Sequence, residues 1–176
     1  MTAATAPTAA AILDDGTADV DALLAGVVRD QKAAGSRVRG LLMTYPDGRD
    51  GCARPMVMVD VATDERYTVS QDLGRGAAGC RADPDGFARA SQVLDAAPRD
   101  AELIVCNRFG NFEAEGKGFA AELLAILASG IPLLTAVAER HRDRWFEFSG
   151  GAAVLPADAQ AIDAWLAALL PQAEGG

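Results

Sequence analysis

Short, almost wholly apolar runs separated by segments with helical periodicity constrain the fold more than any other feature of this chain. Leu103-Ile104-Val105-Cys106 and Leu133 to Val137 are too short for helices and too apolar for a sheet with one wet face. Strands of that kind need cover on both faces, as in parallel sheets flanked by helices. Ala9 to Leu13, Val38 to Thr44 and Ala152 to Leu155 read the same way. Between them, Val20, Leu23, Leu24, Val27 and Val28 recur at helical spacing after Thr17 or Asp19 as N-cap, with Gly35 as the stop. Asp83-Pro84 opens a helix carrying Phe87, Ala90, Ser91 and Leu94 and closing before Pro98. Phe119, Leu123, Leu124, Ile126 and Leu127 form a further helical face ended by Gly130 and Pro132. Arg140 to Phe148 reads as helical, and Pro156-Ala157-Asp158 caps a last helix with Ile162, Trp165, Leu166, Leu169 and Leu170 inside. Met56 to Val61 and Arg66 to Val69 form a hairpin around Ala62-Thr63-Asp64-Glu65, with Met56 and Met58 facing the core. The predicted fold class is α/β: three layers, a mostly parallel sheet flanked by helices, with a β-hairpin insertion.

The 176 residues suit one well-cored domain, expected over residues 9–171, with residues 1–8 disordered and 172–176 frayed. Half the residues are apolar and net charge is −9, which excludes the basic face that nucleic-acid backbones require. Cys52, Cys80 and Cys106 are odd in number, widely spaced and without a CxxC pair. They form neither a disulfide framework nor a zinc knuckle. Met1 to Ala10 lacks the basic start and apolar core of a signal peptide, and no apolar run reaches membrane-spanning length. A cytoplasmic protein without membrane or nucleic-acid partners is expected.

The densest chemistry lies in Ser70-Gln71-Asp72-Leu73-Gly74-Arg75-Gly76-Ala77-Ala78-Gly79-Cys80-Arg81. Glycines let backbone amides converge, converging amides cradle anions, and arginine adds a permanently charged planar fork. Arg81 is the leading ligand, with Gly79 and Cys80 amides completing the cradle and Ser70 and Gln71 donating neutrally. Arg75 stands behind as a solvated charge. The alternatives are a plain connection and a dinucleotide site, since Gly74-x-Gly76-x-x-Gly79 formally matches that fingerprint without a helix directly at Gly79.

A second polar loop, residues 107–118, follows the end of an apolar strand, where ligands collect in open α/β sheets. In the functional reading Asn107 and Arg108 donate, Gly110 allows close approach, and Glu113 and Glu115 orient the arginines or accept from a protonated oxyanion. In the structural reading the glutamates only favour a helix start. Cys80 is a reactive thiol or a packing residue, Cys106 a core residue, and His141, the only histidine, a surface group. Trp145, Phe146 and Phe148 read as packing or as a subunit contact that would support a homodimer. No clustered ligands suggest a metal.

Nucleotide hydrolysis requires GxxxxGK[ST] between the first strand and helix. That place holds Asp14-Asp15-Gly16-Thr17-Ala18-Asp19-Val20-Asp21: no lysine, no second glycine, and four carboxylates that repel a triphosphate. Cys106-Asn107 stands where a metal-holding carboxylate would end its strand. Phosphoryl transfer depends on those missing electrostatic parts.

Val59-Asp60-Val61-Ala62-Thr63-Asp64-Glu65-Arg66, Ser70-Gln71-Asp72-Leu73-Gly74, Gly79-Cys80-Arg81 and Asn107-Arg108-Phe109-Gly110-Asn111-Phe112-Glu113-Ala114-Glu115-Gly116-Lys117-Gly118-Phe119 resemble a bacterial domain-of-unknown-function family often encoded beside molybdate-transport genes. The hairpin and strand-loop-Glu pattern is also similar to small phosphate-loop nucleoside triphosphatases, from which this chain departs by lacking the phosphate loop. The resemblance implies a degenerate nucleotidase-like fold and handling of molybdate or tungstate in the cytoplasm. The expectation is a non-catalytic oxyanion-binding protein with no cofactor beyond a bound molybdate or tungstate. A nucleotide-dependent or cysteine-based transferase or triphosphatase is the alternative, and a homo-oligomeric interaction module without small ligand is another.

Overall fold

In a computed structural model, residues 6–44, 56–71 and 81–170 are described. Strands are β1 Ala9–Asp14, β2 Val38–Thr44, β3 Val57–Asp60, β4 Arg66–Thr68, β5 Ser70–Gln71, β6 Arg81–Ala82, β7 Leu103–Cys106, β8 Leu133–Ala138 and β9 Ala153–Leu155. Helices are α1 Val20–Ala33, α2 Pro84–Ala96, α3 Asn111–Ala114, α4 Ala120–Ser129, α5 Arg142–Ser149 and α6 Ala159–Leu169. Among the described residues, the main sheet runs β4-β3-β2-β7-β8-β1-β9. It is parallel from β2 to β9, while β3 and β4 are the antiparallel hairpin added at one edge.

The flush apolar strands are explained by cover on both faces. Ala9, Ala11, Ile104, Cys106, Leu133 and Val137 point to one layer, with Ala90 and Leu94 of α2, Leu123 and Ile126 of α4 and Trp145 of α5. Ala10, Ile12, Leu103, Val105, Leu134 and Ala136 point to the other, against Leu24 and Val28 of α1 and Ile162 and Leu166 of α6. The fold is therefore three-layered α/β. Asp19 and Asp158 accept from Ala22 and Ala161 amides as N-caps, and Asp83 accepts from both Asp85 and Gly86.

Local departures from the expected pattern have simple causes. Leu124 sits half exposed because Ala120, Leu123 and Ile126, at helical spacing, make the buried face of α4 and Leu124 lies about 100° round from Leu123. α2 closes at Ala96, before Pro98 as expected, and Pro98 lies in a 3-10 turn, Ala97–Arg99, that follows it. Trp145 is fully buried and Phe148 packs on Phe109, leaving Phe146 as the exposed aromatic of the three. Met58 is core and Met56 packs beside it.

Two glycines are required by close backbone approach. Gly40 of β2 has φ +126°, and a Cβ there would collide with the Val105 carbonyl of β7. Gly86 brings the first turn of α2 onto the Thr68 carbonyl at the end of β4. That contact fixes where the chain leaves the hairpin. Among the described residues no helix is long and apolar enough to cross a membrane.

Candidate functional site at the carboxyl edge of the sheet

Parallel strands all end on one edge, so β1, β2, β7 and β8 deliver their following loops to the same side. Antiparallel β3 reverses the direction and β4 restores it, so the chain leaves β4 at that edge as well. The end of β4, from which Ser70 follows, and the end of β7, from which Asn107 follows, thus share an edge. Between β4 and β7 lie three strand spacings, about 14 Å.

At the hairpin end, Ser70 pairs with Ala82 and Gln71 with Arg81, which makes Gln71 and Arg81 cross-strand partners. Ser70 is buried, and its Oγ accepts from the Met56 amide at 2.8 Å. Asp83 N–H donates to the Val69 carbonyl and anchors the return strand. Gly79 and Cys80 lie outside the described residues, as do Arg75 and Cys52.

At the other end, β7 stops in an unusual way. Asn107 N–H donates to Leu41 of β2, whereas Phe109 N–H donates to Ala136 of β8. In a regular strand, amides two residues apart point to the same neighbour. Arg108, at φ +66°, supplies the reversal. This puts a non-glycine residue in the left-handed region, at a cost of roughly 1–2 kcal/mol.

The side chains there are tied to the β1–α1 connection. Arg108 Nη1 lies 2.8 Å from Asp14 Oδ2, and Nη2 lies 3.6 Å from Asp21 Oδ1. Asn107 is 3% exposed; its Nδ2 donates to Asp21 Oδ1 at 3.0 Å and its Oδ1 has no partner among the described residues. Asp14 Oδ1 accepts from Gly16 N–H, and Asp15 accepts from both the amide and hydroxyl of Thr17. Those Thr17 bonds, side chain first, hold the Asp15 carboxyl below its ordinary range. A guanidinium paired with two carboxylates therefore sits against the β1–α1 connection.

Glu113 is buried and commits both oxygens to backbone: Oε2 accepts from Gly110 at 3.0 Å and Oε1 from Phe119 at 3.2 Å. It staples residues 110–119 into one unit rather than reaching Arg108. Glu115 is exposed and faces Asn111 and Lys117. The structure thus gathers Asn107 and Arg108 with Asp14 and Asp21, and gathers Gly110 with Glu113. It gathers Ser70 and Gln71 with Arg81 at backbone level only. By sequence Asp14 and Asp21 read only as repulsive to phosphate; the structure makes them partners of Arg108. An isolated arginine after an apolar strand, with an acidic turn after another, was the available signal.

Cys106 is fully buried, and desolvation, reinforced by the Glu113 and Glu122 charges, pushes its thiol far up. Native protein should leave Cys106 unmodified by iodoacetamide at pH 8, with alkylation appearing on unfolding; peptide mass spectrometry reads both. Modification of Cys106 in the folded state would contradict its placement. Of His141, Nε2 is buried without a partner among the described residues.

The strand order, the helices on both faces and the loops at the carboxyl edge define a three-layer α/β protein with an acidic turn between its first strand and first helix. A solved structure, that of a human cancer-related nucleoside triphosphatase, matches with TM-score 0.56 at 18% identity, covering 81% of this chain and 85% of that one. That likeness concerns the fold. The chain belongs to the family described as a protein of unknown function, DUF2478, whose model matches residues 9–165. It is also 39% identical over 158 residues to the molybdenum import ATP-binding protein ModC 2 of Bradyrhizobium diazoefficiens. That match takes in 89% of this chain and 18% of the relative, so the chain spans less than a fifth of that protein.

Proposed function

We propose that the protein is a non-catalytic cytoplasmic oxyanion-binding protein that binds, buffers or delivers molybdate or tungstate. The observation that carries this reading is the 39% identity to a segment of a molybdenum import protein. Two features of the edge support it. The short β5–β6 ladder pairs Gln71 with Arg81, and buried Ser70 lies beside it with its Oγ accepting from the Met56 amide. Arg81, Gln71, Ser70 and the amides of Gly79 and Cys80 are assigned as the main donors, with Asn107 and Arg108 approaching from β7. Gly110, Glu113 and Glu115 shape the facing loop.

Isothermal titration with molybdate, tungstate, sulfate and phosphate tests the proposal. Heat with the first two is expected; heat with none removes it. Arg81→Ala should weaken molybdate binding by about 1.5–3 kcal/mol, the worth of a charge-assisted hydrogen bond. An unchanged affinity would remove Arg81 from the site.

The match to a triphosphatase fold favours one rival, a nucleotide-dependent enzyme. Against it stands the carboxylate-rich turn at residues 14–21, with Arg108 already clamped there. A thermal shift with ATP and magnesium but none with molybdate would favour the rival.

A further inference from the structure

We infer that the cleft between α1 and the β3–β4 hairpin is a separate binding site, which takes a small carboxylate with an apolar body. It does not depend on the oxyanion reading above.

The cleft follows from the strand order. β3 and β4 extend the sheet beyond β2, on the side away from β1. On one face α2 covers this extension, with Gly86 against the Thr68 carbonyl and Ala90 and Leu94 in the layer that holds Met58. On the other face α1 packs on the parallel strands and leaves a cleft of about 340 Å³ along its flank. Ligand clefts run from roughly 300 to 1,000 Å³, so this one suits a small guest. Its wall is one stripe of α1, Ala25, Val28, Arg29 and Lys32 at helical spacing. Its floor is Leu42 and Val59, directly paired across β2 and β3, with Val61 beside them. Such an apolar floor favours a hydrocarbon body.

Charge at the rim selects the sign of the guest. Lys32 Nζ donates to the Val61 carbonyl at 2.7 Å, which holds the ammonium at the edge of the floor and spends one of its three donors. Arg29 gives Nε to Asp30 in an exposed pair of the kind that water screens. Its other N–H groups have no partner among the described residues. Arg66 lies directly opposite Val59 on the hairpin and so shares its face. These cations stand against Asp30 and Asp64 alone, in a protein whose net charge is −9. The hairpin's other acids, Asp60 and Glu65, lie by Tyr67 on the opposite face. The positive charge in excess matches a monoanion, and a carboxylic acid joins that charge to a hydrocarbon body. Inorganic oxyanions lack the body.

Amide NMR titrations with octanoate, hexanoate, acetate and octylamine test the site on wild type, Arg29→Met, Lys32→Met and Arg142→Met. Arg142→Met makes the same charge change at an exposed pair on α5, which packs on the opposite layer. Octanoate should give saturable shifts centred on Val28, Leu42, Val59 and Val61. It should bind about fivefold or more tighter than hexanoate, for two further methylenes at least half buried. Acetate and octylamine should give no saturable shift there. Arg29→Met and Lys32→Met keep their apolar stems and should each weaken octanoate about two- to fivefold, the worth of an exposed ion pair. Arg142→Met should leave it unchanged. Equal shifts from octylamine, shifts scattered away from the cleft, or a loss in Arg142→Met as large as in Arg29→Met would mean unspecific adsorption and overturn the site. No saturable shift with millimolar octanoate overturns it too, and leaves the oxyanion function standing. Displacement of octanoate by molybdate would make the two anion sites one and overturn a separate cleft. Should Lys32→Met melt early for want of its bond to Val61, Arg29→Met carries the comparison.

Discussion

Gly40→Ala is expected to destabilise the protein by about 3–5 kcal/mol, combining overpacking against backbone with strain at positive φ. Gly40 lies in the middle of β2, opposite Val105, and an added Cβ meets the Val105 carbonyl rather than a movable side chain. Neither strand can retreat, because β7 is fixed by β8 beyond it and β2 by β3. Domains of this size hold only about 5–15 kcal/mol in total, so much of the stability goes. Gly26→Ala in α1 is the control. Its Cβ would meet only Arg29 Nη2 at 3.8 Å, and alanine in a helix gains up to about 1 kcal/mol over glycine. Urea melts read both, with opposite signs expected. A Gly40→Ala midpoint equal to wild type would mean that β2 and β7 are not paired in this register.

Glu113→Ala should cost about 3–5 kcal/mol, since two charge-assisted bonds to buried amides are lost together at about 1.5–3 kcal/mol each. Glu113→Gln should cost roughly half as much, because one carbonyl oxygen can still serve one amide. Amide hydrogen exchange separates this from a general loss: Gly110 and Phe119 should lose protection before the β7 and β8 amides do. Uniform loss of protection would show that the glutamate supports the whole core and not the loop. The effect also reaches the edge site, since Glu113 fixes the segment directly after Arg108.

Much of this architecture was legible because it is one-dimensional. Leu103 to Cys106 reads as a doubly covered strand from composition alone, and the hairpin from two apolar runs around Ala62-Thr63-Asp64-Glu65. Asp83 and Asp158 announce their helices as caps. What failed to show was whatever depends on strand order. Arg108 finds Asp14 because β7 and β1 flank β8, a neighbourhood no local pattern encodes. α3, only Asn111–Ala114, is too short for periodicity and is held by the Glu113 staple. The Gln71–Arg81 pairing comes from strands of two residues each, below the length at which alternation has meaning. The glutamates of the second loop illustrate the same limit: sequence placed them beside an arginine, and the fold turned Glu113 towards backbone amides instead.

The central claim is retention of a molybdenum-type oxyanion through Arg81. Equilibrium dialysis against molybdate, with molybdenum measured by elemental mass spectrometry, tests it on wild type and Arg81→Ala side by side. Stoichiometric retention by wild type, lost in Arg81→Ala and displaced by tungstate, is the predicted result. Wild-type retention no greater than that of an unrelated acidic protein would contradict the account.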